Sequence, residues 1–316
     1  MKHVLYMFCF ILALGGPGPL ALTWAEEEEF LVAAEAEGAG QLEFAEHLFQ
    51  EGDYFRAIGE YKRFLFHFPN AGEKQKEEAY FKIAMSYYRA QHWEEAINSF
   101  NVFLERFPGA SKRSEALFYK GRAEHELGFY EDALSSYEVL ARSDVSELRN
   151  KALFESAMVY IDLNQWDDAA KALARISDQS ALKHRAGIVS EGLENVDNLP
   201  SKSPVSAGVF AAMIPGAGHV YTENYRDGLV AFLLNGLFIW AAIEQFEDDN
   251  EVTGGIITFF ELGWYTGNIY SAVGSAHKFN ERVEEGFIRS LKERGRLSIV
   301  PGENGTDHHL AFTLRF

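Results

Sequence analysis

At 316 residues with a formal net charge of -18, the chain has room for two domains, and its acidity disfavours nucleic acid, whose phosphates need a basic face. After residue 200 nine Lys/Arg stand against fourteen Asp/Glu, so the front part carries the remaining -13, the signature of a solvated helical surface. The single cysteine, Cys9, excludes a disulfide pair, and with the leader removed the chain has no cysteine nucleophile or thiolate metal site.

Residues 1–25 read as a secretory signal peptide. Lys2 and His3 precede an apolar run from Val4 to Leu14, too short to span a bilayer, and the breakers "GGPGP" lead to a small-residue site ending at Ala25. Cys9 lacks the small-residue context of a lipoprotein signal, so the mature chain is expected to be exported without a lipid anchor, opening on "EEEE".

Residues 26–195 are built on an internal repeat. "DYFRAI", "HWEEAI", "FYEDAL" and "QWDDAA" place an aromatic (Tyr54, Trp93, Tyr130, Trp166) three residues before Ala57, Ala96, Ala133 and Ala169, and these alanines step by 39, 37 and 36 residues. Tyr61, Phe100, Tyr137 and Leu173 follow at four residues and Phe64, Phe103, Leu140 and Ile176 at seven, one apolar stripe on a helix. Pro69 and Pro108 stop the first two of these helices. Twelve residues upstream of each alanine stand Ala45, Ala84, Gly121 and Ala157, small enough for a second, antiparallel helix to approach closely.

This pattern resembles the tetratricopeptide repeat, which implies a helical solenoid of about four units that binds protein partners on its curved faces. Tyr80, Tyr87, Tyr88 and Tyr160 are candidates to line such a face, although their helical spacing favours packing between helices. "FLFHFPN" and "FLERFPGASKRSEALFYKGRAEHELGFYEDAL" are similar to the periplasmic tetratricopeptide proteins of the Gram-negative envelope, among them the Tol-Pal coordinator and barrel-assembly lipoprotein families. The anchor of the latter and the coiled-coil segment of the former are absent here. "ALKHRAGIVSEGLENV" is expected to cap the last repeat, and residues 196–204, around "DNLPSKSP", to form a linker.

Residues 205–296 read as a small helical membrane domain. Its first apolar stretch, Pro204 to Tyr221, is broken by "PGAG" and expected to form a short span; the second is "GLVAFLLNGLFIWAAI", Gly228 to Ile243; the third runs from Gly254 to Ala276. Nine Leu/Ile/Phe/Val residues give the second about -3 to -5 kcal/mol of insertion free energy. Glu261 brings the sum for the third to about zero, so that helix needs partners. Thr258, Glu261, Tyr265, Asn268 and Ser275 share one face of it, a polar seam to which Asn235 adds from the second helix. Gly263, Gly267, Ser271 and Ser275 form a small-residue seam suited to helix contact in lipid. Glu261 is expected to bond to Asn235 or Asn268.

The turn residues Pro215, Gly216, Gly218, Tyr221 and Gly228 make up a Pro-Gly-x-Gly-x-x-Tyr pattern that resembles a family of small bacterial membrane proteins without an agreed activity. That resemblance implies a short β-hairpin at the C-terminus, here residues 297–316, packing over the shared face of Phe279, Val283, Phe287 and Leu291. The positive-inside rule places the stretch with Lys278, Arg282, Arg289, Lys292, Arg294 and Arg296 in the cytoplasm.

No catalytic constellation emerges. His308 and His309 are adjacent and point apart on a strand, a poor metal pair, and "PGAG" lacks the lysine of a phosphate loop. The expectation is an all-α protein, a tetratricopeptide solenoid followed by a helical membrane domain and the tail hairpin. Its expected role is a non-enzymatic envelope scaffold, without cofactor, that binds protein partners and the lipid bilayer. The competing reading is an accessory subunit of a membrane transporter or enzyme that uses Glu261 and Tyr265. Inner-membrane placement with the repeats in the periplasm is expected, the periplasmic face of the outer membrane being the alternative.

Overall fold

The computed structural model describes residues 38–142, 146–296, 300–301 and 308–309. The leader and its cleavage site lie outside them, as does the alternating run Leu310, Phe312, Leu314 and Phe316. Two compact units divide the chain, Met1–Leu163 with Arg175–Ser180, and Asn164–Ala174 with Ala181–Phe316.

The first unit is a ladder of antiparallel helices: α1 through residues 38–50, α2 Tyr54–His67, α3 Glu73–Arg89, α4 Trp93–Arg106, α5 Arg113–Glu126, α6 Tyr130–Ala141 and α7 Ser146–Asp162. From α2 onward each helix packs on the next, and α3, α5 and α7 also touch one another in succession, which is how stacked helix pairs share a continuous core. The prolines act where expected. Phe68 and Phe107, the residues before Pro69 and Pro108, leave the helical region at φ -117° and -124° and end α2 and α4.

The turn inside each helix pair has a periodic feature of its own. Gly52, Gln91, Gly128 and Asn164 all have positive φ, between 58° and 84°, and each stands five residues before its repeat's alanine. A left-handed residue is what reverses the chain there, and it is strained for glutamine, which has a Cβ. Gln91→Gly is therefore expected to raise stability by about 0.5–1 kcal/mol, read as a higher melting temperature of the full chain, while Gly52→Gln lowers it. No change in either variant would mean that the turn relaxes freely.

The second unit comprises α8 Trp166–Ala174, α9 Lys183–Leu193, a 3-10 turn Val196–Asn198, α10 Pro204–Met213, α11 Ala217–Tyr221, α12 Tyr225–Glu247 and α13 Glu251–Arg296. Thus α8 and α9, which precede the linker expected at 196–204, group with the helices that follow it. The cause is the end of α13. Phe287 meets the Trp166 ring edge-on at 5.8 Å, and Leu291, 1% exposed, fills the space left by the missing side chain of Gly192. That face was expected to carry the tail hairpin; here α8 and α9 cover it. The linker is also fastened: Lys202 N–H donates to Asn280 Oδ1 (2.8 Å), the Asn280 amide donates to Lys202 O (3.0 Å), and Ser203 caps α10.

α10 has ten residues, so at about 15 Å it covers half of a hydrocarbon core of about 30 Å and does not make the short crossing expected of the first apolar stretch. Among the described residues α12, with 23 residues and mean hydropathy 1.7 over its most apolar window, is the one helix long and apolar enough to cross a membrane. Of the tail, Val300–Pro301 pairs antiparallel with His308–His309, and no hairpin beyond that pair is present among the described residues.

Candidate functional site

The small signature positions of the repeats are buried. Ala45, Ala57, Ala84, Ala96, Ala133, Ala157 and Ala169 are fully buried, as are Tyr61, Phe100 and Tyr137. Gly121 replaces alanine because a Cβ there would lie 2.7 Å from the Tyr137 ring. Pro69 and Pro108 are exposed just past their helices.

Polar groups enter this core in pairs, some within one repeat and some, Lys82 with Glu46 and His125 with Asp162, between successive repeats. The Tyr61 hydroxyl donates to Glu46 (2.8 Å), and Lys82 reaches the same carboxylate from the next helix pair at 2.8 Å. Burial pushes the Glu46 carboxyl up, but the bonds from Lys82 and Tyr61 outweigh it and hold the group below its ordinary value. Ser136 donates to the buried Glu124 (2.8 Å), and His125 Nε2 lies 2.7 Å from Asp162. Sequence reasoning missed all of these, since the partners are 12 to 37 residues apart and share no motif. The tyrosines considered for a partner face pack instead. Tyr88 is buried against Trp93 and Tyr119, Tyr80 stacks on Phe107 beneath Arg106, and Tyr87 takes a hydrogen bond from Lys62. Tyr160 is half-buried.

The family model of the tetratricopeptide repeat matches residues 78–110, from within α3 past the end of α4, and residues 151–180, from within α7 past the end of α8. This chain carries tetratricopeptide repeats. No curated protein matches it. Tetratricopeptide stacks present protein-binding surfaces, and the large apolar groups this one leaves most open are Phe66 at 79% and Phe55 at 58% exposure.

In the second unit the glycine-rich turn is a packing device. Gly216 adopts φ 84°, and a Cβ there would stand 2.1 Å from Gly228 O; one on Gly218 would stand 2.1 Å from Ala207 O and 2.7 Å from Ala272 Cβ. The glycines therefore let α11 press between α10, α12 and α13. Pro215 stands between the end of α10 and this left-handed residue. The Tyr221 hydroxyl accepts a hydrogen bond from Ser203 N–H at 3.0 Å, and its ring packs on Phe210.

The polar seam faces inward. Tyr265 donates to Ala212 O at 3.1 Å, and Asn235, fully buried, donates to Ala231 O in its own helix. The expected bond from Glu261 to Asn235 or Asn268 is not formed. Both Glu261 oxygens, both Asn268 amide atoms, Asn235 Oδ1 and His219 Nδ1 are buried with no hydrogen-bond partner among the described residues. Such groups in one small domain call for a role, because leaving them unpaired costs about 1–3 kcal/mol each. The sequence reading passed over His219, whose Nε2 lies 3.1 Å from Ser271 Oγ, and Thr222, whose hydroxyl lies 2.7 Å from Ser275 Oγ. A histidine inside an otherwise apolar turn was the available signal.

The small-residue seam divides. Ser275 is buried, but Gly263 and Gly267 have nothing within 4 Å of where a Cβ would stand and border an open cleft of about 900 Å³ between α12 and α13. Close helix contact is made by Gly208, Ala211, Gly218 and Ala272 instead.

Proposed function

We propose that this protein is a non-enzymatic scaffold: its tetratricopeptide repeats bind protein partners, and its second unit holds them at a membrane. The observation that carries the membrane part is the surface of α12. Its only buried residues, Gly228, Asn235 and Ala242, are seven apart and form one narrow stripe. Leu229, Phe232, Leu233, Trp240 and Ile243 are all more than half exposed. A core helix of a water-soluble protein would bury such a surface, whereas a bilayer solvates it. The leader supports periplasmic repeats, with the inner membrane as the first reading and the outer membrane as the alternative. The end of α13 packs on α8 and α9, which precede the membrane helices, so the positive tail belongs on the same side as they do and not across the membrane in the cytoplasm.

Alkaline carbonate extraction of membranes from expressing cells tests this. The full chain is expected to stay in the membrane pellet, and its release to the supernatant would overturn the anchoring role. A reporter that works only in the periplasm, fused after Phe316, is expected to be active, and its silence there with the protein still made would overturn the topology.

The competing reading, an accessory subunit of a transporter or membrane enzyme, draws support from the unpartnered Glu261. Glu261→Gln is expected to leave partner binding and membrane retention intact in the scaffold. Loss of a cellular function with the protein still made would favour the second reading.

A further inference from the structure

The cleft between α12 and α13 is graded along its length. On α13 it runs from Phe259 to Ser271, thirteen residues and so about 18 Å from first to last. On α12 it runs from Leu234 back to Asp227, because the short turn between the helices makes them antiparallel. One end is apolar, walled by Phe259, Phe260 and Leu262. Its middle is floored by the bare backbone of Gly263 and Gly267. The other end carries His219, Asp227, Asn268 and Ser271.

Two of the side chains at that end, His219 at 3% and Asn268 at 6% exposure, are more than nine-tenths buried and keep unpartnered polar atoms, His219 Nδ1 and both atoms of the Asn268 amide. Asp227 is the only charged residue lining the cleft. It accepts a hydrogen bond from Asn224 (2.7 Å) and has no ion-pair partner among the described residues.

We infer that this cleft is a binding site for one acyl chain of a membrane amphiphile, with an amine-bearing head seated at the His219, Asn268 and Asp227 end. The inference rests on the membrane reading above. Three features fit together. A groove of about 18 Å matches the chain length of one leaflet, about half of a hydrocarbon core of about 30 Å. The glycine floor leaves room for a chain and has no side chain of its own to fill it. The polar end, where Ser271 and Asp227 are exposed to the cleft, suits the glycerol and amine groups that follow an acyl chain, and a lone carboxylate favours an ammonium over an anionic head.

The test uses the full-length protein in nanodiscs, with a phosphatidylethanolamine probe carrying a diazirine midway along one acyl chain. Labelling is expected to concentrate on peptides containing Leu234 and Phe259 to Gly267. Gly267→Leu, which occupies open space at the floor, is expected to cut labelling at least about tenfold. Gly255→Leu, on the same helix and equally open but outside the cleft, is expected to leave it unchanged. Asp227→Asn is expected to abolish the preference over a phosphatidylglycerol probe of the same chain. Labelling spread evenly over the exposed faces of α12 and α13, or indifferent to Gly267→Leu, overturns the site, and equal labelling by the two probes in the unsubstituted protein overturns the amine-bearing head. Carbonate extraction of the same variants separates this failure from that of the membrane reading: protein retained in the membrane but unlabelled refutes the cleft alone.

Discussion

Gly218→Ala is expected to destabilise the second unit by about 3 kcal/mol or more, one of the largest effects available to a single methyl group in this protein. The added Cβ would stand 2.1 Å from Ala207 O, 2.7 Å from Ala272 Cβ and 3.0 Å from Ala211 Cβ, so it meets α10 and α13 at once. A side-chain tip can swing aside, but a carbonyl in a helix moves only with its helix. Gly216→Ala is expected to act as strongly, because it adds a left-handed backbone penalty at φ 84° to a 2.1 Å approach to Gly228 O. Gly263→Ala supplies the control: its Cβ enters open space, and a helical alanine gains up to about 1 kcal/mol over glycine. Hydrogen exchange of the full chain in detergent reads the effect, with protection lost across residues 204–221 and in α13 near Ala272 for Gly218→Ala and kept for Gly263→Ala. Equal protection in the two variants would show that α11 does not sit in this contact.

Phe103→Ala should cost about 3–5 kcal/mol in the first unit, while Phe66→Ala should cost less than about 0.5 kcal/mol. Both are phenylalanines in the last turn of a helix, yet Phe103 is 0% exposed and Phe66 is 79% exposed. The Phe103 ring lies 5.5 Å from Phe81 and 5.7 Å from Phe107, so its removal opens a cavity across α3, α4 and the turn that follows. Ala96→Leu should err in the opposite direction at the same crossing, overpacking it by about 1–3 kcal/mol, whereas a change at exposed Glu94 should be silent. Melting followed by exchange in α3 to α5 checks all four. A Phe103→Ala protein as stable as Phe66→Ala would mean that the repeat core is assembled differently.

Much of the first unit was legible because its repeat writes the same crossing three times. A small residue at Ala84 and another at Ala96 can only mean two backbones close together when the spacing recurs at every unit. The left-handed turns were half visible, at Gly52 and Gly128, but Gln91 and Asn164 hid the same conformation behind side chains that rarely adopt it. The Glu46, Tyr61 and Lys82 cluster was not legible at all: its members belong to successive helices, and no local pattern links them.

In the second unit the apolar runs and the break at Pro215 could be read from composition alone, since a bilayer-length helix and a proline stop are properties of a single segment. Which face of α13 meets its neighbours could not. Gly263 and Gly267 have the spacing of a helix contact, yet the neighbours reach Ala272 and Ser275 and leave the two glycines beside the cleft. Spacing along one helix marks where an approach is permitted. The partner's shape, here the short α11 wedged at Gly218, decides where it happens. The same holds for Leu291: its amphipathic face demanded a cover, and only the fold chose α9 and Gly192 for it. The sequence alone therefore determined the periodic elements and their breaks. Tertiary structure decided the pairings, because burial and hydrogen bonding depend on residues far apart in the chain.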